Sequence, residues 1–249
     1  MTASPKFIFS HRSNGKDLYI TDVRTGNTST FPNSTNFAEA CCWCRGPSGK
    51  LWFSGGGRQQ STVTRVTLIE SHREYANIVQ ADLLNSRSRH GSIYHEKFVY
   101  VVGGCFNSQP LAECERYFPA EDRWESIAAL PIPCWGMSLI IVNDALLAIG
   151  GLIDNIQKLN LKELRWEVLP VTLPLTSYFI PAFQHNSDIA FILGKAVYAL
   201  DSEANTITLI KELPQTMNCV LGPCVYHEGT IYCSAIRSHA TSLAIGPLV

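Results

Sequence analysis

Nine cysteines and seven histidines are the side chains best suited to metal binding or nucleophilic chemistry in this 249-residue sequence. Cys41, Cys42 and Cys44 lie together and include a C-x-x-C spacing. A structural zinc site takes four ligands, usually as two close pairs of Cys or His. The only other near pair is Cys219 with Cys224, and its spacing is irregular. The triplet falls in a strand-like run, where alternation puts Cys42 and Cys44 on one face and Cys41 on the other. Free cysteine packs as a small buried hydrophobe, so packing accounts for the triplet without a metal. No G-x-S-x-G, H-E-x-x-H or P-loop is present, and the run at Gly55 to Gly57 does not extend to G-x-G-x-x-G. The expectation is a chain with no catalytic residue, no metal and no cofactor.

Binding chemistry is better represented. Arg87, Arg89 and His90 fall within the run Ser-Arg-Ser-Arg-His-Gly-Ser. A guanidinium presents a planar fork that grips a carboxylate through two parallel hydrogen bonds. Trp135 and Tyr178 stand in corresponding stretches further along, and Arg, Tyr and Trp are the types enriched at interaction hot spots. Trp135 also suits packing between repeats. Arg58, Asn107, Gln109, Asp154 and Asn218 are polar candidates in the remaining loops.

Overall charge narrows the partner further. Lys plus Arg number 20 against 21 Asp plus Glu, so no basic field exists to attract a phosphate backbone, and a nucleic-acid partner is not expected. The longest apolar stretches, such as 137–142 and 145–153, are far shorter than the ~20 residues of a spanning helix. The opening MTASPKFIFS lacks a basic region followed by a long apolar run, so a secretory signal is not expected. Free thiols in a reducing, cytoplasmic setting follow from that reading.

The elements that position these residues are repeats. LWFSGG, VYVVGG and LLAIGG end in the doublets Gly55-Gly56, Gly103-Gly104 and Gly150-Gly151, whose first glycines lie 48 and 47 residues apart. AFILGK, TIYCSA and KFIFSH are degraded copies, with Gly194, Ser234 and Ser10 at the doublet position. Downstream, Tyr117 precedes Trp124 by seven residues and Leu159 precedes Trp166 by seven. LYITDVRTGNT matches VYALDSEANT, and Leu-Pro closes units at Leu130-Pro131, Leu169-Pro170 and Leu213-Pro214. Before each doublet a second apolar run and a turn appear, and His95, His185 and His227 recur at those turns. Histidines in phase with a repeat stand on different units, which favours a turn role over a shared metal. Each unit therefore reads as four short strands, which is the signature of a propeller blade.

The doublets, the downstream Tyr or Trp, and the spacing resemble kelch repeats, from about residue 7 to the end. The Trp-Asp dipeptide of the competing WD40 propeller is absent. The resemblance implies a single all-β domain over 1–249, a kelch-type β-propeller of six mostly four-stranded antiparallel blades. Approximate blade bounds are 1–36, 37–86, 87–133, 134–176, 177–216 and 217–249. The first blade lacks its first strand and the sixth its last, which reads as economical ring closure; a fragment, or a ring completed by another chain, is the rival reading. The resemblance also implies a non-catalytic scaffold that binds a partner protein or peptide through the loops of one face, which is what makes Arg58, Asn107, Gln109, Trp135, Asp154, Tyr178 and Asn218 candidates, and it implies that Arg87 and Arg89, with His90, pair the carboxylates of an acidic partner. Substrate recognition for a ubiquitin ligase through a separate adaptor, or an enzyme or small-molecule site at the ring axis, are the alternatives.

Overall fold

The computed structural model describes residues 7–11, 14–32, 36–47, 50–57, 61–69, 74–185, 188–201, 203, 205–216, 223–234 and 241–248. Every helix or strand element among them is a β-strand. Blade 1 holds β1 (Phe7–His11), β2 (Asp17–Asp22) and β3 (Thr28–Pro32). Blade 2 holds β4 (Cys42–Arg45), β5 (Lys50–Ser54), β6 (Val63–Ile69) and β7 (Glu74–Gln80). Blade 3 holds β8 (Gly91–His95), β9 (Phe98–Val102), β12 (Cys114–Phe118) and β13 (Arg123–Ile127), with the hairpin β10 (Cys105–Phe106) and β11 (Gln109–Pro110) inserted after β9. Blade 4 runs β14 (Met137–Val142), β15 (Ala145–Gly150), β16 (Asn155–Asn160) and β17 (Arg165–Thr172). Blade 5 runs β18 (Ala182–His185), β19 (Asp188–Leu193), β20 (Ala196–Asp201) and β21 (Thr206–Glu212), and blade 6 runs β22 (Cys224–His227), β23 (Thr230–Cys233) and β24 (Thr241–Ala244).

Each blade is an antiparallel meander running outward from the axis. Second strands are buried almost throughout, as in Leu51–Ser54, Val99–Val102 and the whole of β15, because neighbouring blades cover both of their faces. Outer strands such as β21 are largely exposed and polar. Between blades 2 and 3, Trp52, Tyr117 and Trp124 pack together; between blades 3 and 4, Tyr100, Leu146 and Trp166 do the same. The Trp124 indole N–H donates to the Ala81 carbonyl at 2.9 Å and that of Trp166 to the Ala128 carbonyl at 2.9 Å. The aromatic residues seven after the repeated Tyr or Leu thus tie the outer strands of blades 3 and 4 to the preceding blade. His95, His185 and His227 each end an inner strand, just before its turn.

The doublets meet the loop entering the next blade. Gly56, Gly104 and Gly151 donate backbone N–H bonds to the carbonyls of Arg87, Cys134 and Ser177, at 2.9, 3.0 and 2.9 Å. Leucines beyond the outer strands bond back toward the loop after the doublet: Leu83 to Ser61, Leu130 to Ala112, Leu173 to Asp154 and Leu213 to Lys195. This corrects one assignment. Leu169-Pro170 lies inside β17, and Leu173 rather than Leu169 makes the closing contact in blade 4.

Burial fixes the layer that each strand of blade 1 occupies. β1 shows the same pattern as β5 and β9, a half-buried residue followed by four buried ones. β2 follows the pattern of the third strand β20. Blade 1 therefore holds layers two to four, and blade 6 holds layers one to three. The two meet through Ile8, Val23 and Val225, and the Trp43 indole N–H reaches Ser234 Oγ at 3.3 Å.

Candidate functional site

Loops entering blades 2 to 5 share one mouth of the ring and are joined through their backbones. The Arg89 N–H donates to the Ala40 carbonyl (3.1 Å), the Gly136 N–H to that of Arg89 (2.7 Å) and the Phe179 N–H to that of Gly136 (2.6 Å). These four residues sit at corresponding positions, and all have left-handed backbone, with φ of 55°, 53°, 71° and 57° in chain order. For non-glycine residues that conformation costs about 1–2 kcal/mol each, so the ladder holds Ala40, Arg89 and Phe179 in place against strain.

The ladder presents an aromatic shelf. Trp135 and Tyr178 stack with ring centres 5.2 Å apart and planes at 21°, and Phe179 meets both rings edge-on, at 6.3 and 5.1 Å. The Arg89 guanidinium lies 5.1 Å from the centre of the Trp135 ring, a cation–π contact. Tyr178 is 44% exposed. Three candidates from the sequence, Arg89, Trp135 and Tyr178, are thus brought together, and Phe179 completes the group.

Other candidates fall around it. Asn107 and Gln109 are exposed on the β10–β11 hairpin, where Asn107 and Ser108 take φ of 50° and 63°, the positive-φ pair of a tight hairpin turn. Ser88 and Cys105 bond the base of that hairpin to the loop carrying Arg89. Asp154 is exposed in the loop after the third doublet. Arg58 and Asn218 lie outside the described residues.

Arg87 and His90 are corrections. Both were expected on the docking surface, and both are buried, at 0% and 2% exposure. Arg87 points down between blades 2 and 3, donating to the carbonyls of Gly103 (2.8 Å), Glu113 (2.6 Å) and Asn85 (3.2 Å) and pairing with the buried carboxylate of Glu115. Glu115 also accepts from the backbone N–H groups of Leu84 (2.7 Å) and Asn85 (3.0 Å). In blade 4, Gln157 does the equivalent work on the next loop: its amide accepts from the Ile132 N–H (2.8 Å) and donates to the Ile132 carbonyl (3.0 Å). These two clamps were not anticipated. The signal was present, because Glu115 and Gln157 stand two residues before the repeated Tyr117 and Leu159.

His90 Nε2 lies 2.8 Å from Ser54 Oγ, which brings a hydroxyl and an imidazole together. Ser54 is only 1% exposed. Burial, and secondarily the Arg87 charge, push the His90 pKa down to about 3, far from the range in which an imidazole serves as a general base near neutrality. The pair is a contact between blades 2 and 3. It has a consequence for stability, since an unfolded histidine titrates near 6.5. Below that pH the unfolded chain takes up a proton that folded His90 refuses, so stability falls as pH drops from about 6.5 toward 3. Melting temperatures measured between pH 7 and 5 are expected to decline less in His90→Gln than in the parent; equal slopes would remove His90 as the cause.

Blade sheets meandering out from a common axis and cross-tied at their glycine doublets define a β-propeller. The family model described as the Kelch motif matches residues 86–131, and the chain is similar to kelch-repeat proteins. Beta-scruin of Limulus polyphemus is 28% identical over 44% of this chain and 13% of its own length. Kelch domain-containing protein 10 of Homo sapiens is 27% identical over 74% of this chain and 47% of its own length. Kelch-like protein 15 of Danio rerio is 26% identical over 43% of this chain and 21% of its own length. The matched part is less than half the length of each of these relatives. Propellers of this family are in general protein-interaction domains.

Proposed function

We propose that this propeller is a non-catalytic interaction module that holds a partner protein or peptide against the mouth carrying Arg89, Trp135, Tyr178 and Phe179. The observation that carries the reading is the stacked shelf itself. Large aromatic side chains stand part-exposed on a surface while their backbones are locked by the inter-blade ladder. Side chains ordered before binding lose little entropy on contact, and rigid aromatic anchors beside Arg are the residue set of hot spots. Arg89 gives the shelf its sign. Among the described residues no ion pair engages it, so its fork remains open to a carboxylate, and the partner is acidic next to an apolar contact.

The test is affinity capture with purified protein, followed by affinity measurement on the captured partner. Trp135→Ala and Tyr178→Ala are each expected to weaken binding by about 2 kcal/mol, or roughly thirtyfold, with the melting temperature within a few degrees of the parent. Arg89→Ala is expected to reduce the salt dependence of binding as well. A partner bound equally by all three variants would move the interaction off this mouth.

A further inference from the structure

The axis of the propeller holds a cavity of about 180 Å³, walled by the inner strands β4, β8, β14, β18 and β22 and by the start of β1. Its wall carries little charge. Among the described lining residues there is no Asp, Glu or Lys. The cationic side chain on the wall, Arg45, lies over the Phe9 ring, 5.6 Å from its centre. The titratable groups deeper in are neutral. Burial pushes the Cys44 thiol up to about 12 and the Cys42 thiol well above its ordinary range, and it keeps His90 unprotonated. Trp43, Ile93, Met137 and Leu139 supply much of the remaining surface.

Two lining residues carry buried polar atoms with no hydrogen-bond partner among the described residues. His90 is 2% exposed; its Nε2 lies 2.8 Å from Ser54 Oγ, and its Nδ1 is one of these atoms. The other is Ser92 Oγ, in β8 and near the Cys44 thiol. A buried polar group left without a partner is destabilising, and a hydrogen-bonding guest offsets that cost. A hydroxyl both donates and accepts, so it suits Ser92 Oγ, and it suits His90 Nδ1 in either tautomer.

We propose that the axial cavity binds one small, neutral, single-ring compound whose hydroxyl or comparable polar group bonds at Ser92 and His90 while its ring covers the apolar wall. Volume sets the size. A cavity of roughly 150 Å³ lined by Leu, Ile and Phe takes benzene, so about 180 Å³ leaves room for a ring with one substituent. Neutrality follows from the wall, because a carboxylate set beside Ser92 would be stripped of water among uncharged groups, at a far larger cost. Phe7, Arg45 and Tyr94, at the end away from the loop mouth, are half-buried, and the guest enters there. This site is separate from the aromatic shelf and has a different class of ligand.

The experiment is an NMR titration of the 249-residue protein, labelled at its Ile, Leu and Met methyl groups, with phenol, toluene and benzoate as probes. Phenol is expected to shift the Ile93, Leu139 and Met137 signals and to saturate with a Kd on the order of 1 mM or below. Benzoate, similar in shape but charged, is expected to bind at least roughly tenfold more weakly. In Ser92→Ala and in His90→Gln, phenol is expected to lose roughly three- to tenfold in affinity, while toluene, which has no polar group to lose, binds as it does to the parent. Methyl signals indifferent to phenol, the behaviour of a cavity that holds water alone, would overturn the proposal. So would benzoate binding as tightly as phenol, or phenol affinity unchanged by both substitutions.

Discussion

Glu115→Ala is expected to lower the stability of the protein by about 3–5 kcal/mol, the cost of leaving a buried charge without its partner. Arg87 and Glu115 are both fully buried, and the carboxylate also holds the backbone N–H groups of Leu84 and Asn85. Removing it strands the guanidinium and frees the loop that enters blade 3. Urea unfolding measures the loss. The double variant Arg87→Met/Glu115→Ala takes away the stranded charge, and leaves as its cost the bonds to the Leu84 and Asn85 N–H groups and those that Arg87 made to the Gly103, Glu113 and Asn85 carbonyls. Partial recovery relative to Glu115→Ala is expected. A single variant within 1 kcal/mol of the parent would show that the clamp is dispensable.

A loss of about 2–4 kcal/mol is expected for Gly55→Ala, combining left-handed strain with overpacking. Gly55 has φ of +60°, and a Cβ there would come within 2.3 Å of the Arg87 carbonyl oxygen and 3.0 Å of His90 Cε1. Gly26→Ala is the control. Gly26 has φ of +71°, but nothing lies within 4 Å of its Cβ position, so only the strain of about 1 kcal/mol applies. The difference between the two midpoints in thermal or urea unfolding isolates the close approach between blades. Equal losses would mean that the doublet is selected for its turn alone.

Features that repeat were legible in the sequence, and features that depend on depth were not. The doublets, Trp124, Trp166 and the turn histidines occupy the places their phase implied, because each is set by local geometry copied from blade to blade. Arg89, Trp135 and Tyr178 were singled out as candidates and the structure brings them together, although the stack joins residues 43 positions apart. Arg87 and Arg89 look alike in sequence and have opposite fates. The loop dives between blades at Arg87, whose carbonyl accepts from Gly56, and returns to the rim two residues later. Only the third-strand partner distinguishes them. A single glutamate 28 residues downstream carries no local signal, whereas aligning the repeats sets Glu115 against Gln157 and marks a position that reaches into a loop. Leu169-Pro170 misled for the opposite reason: β17 continues through it to Thr172, and the next Leu-Pro takes the closing position.

Closure of the ring between blades 6 and 1 rests on Ile8, Val23 and Val225 and, among the described residues, on no backbone hydrogen bond between those two sheets. That seam responds to temperature differently from the blades it joins. Attraction between apolar side chains weakens on cooling, while the interstrand ladders within each blade do not depend on that force. Cooling therefore weakens the apolar contacts at the seam before it weakens the pairing within each sheet.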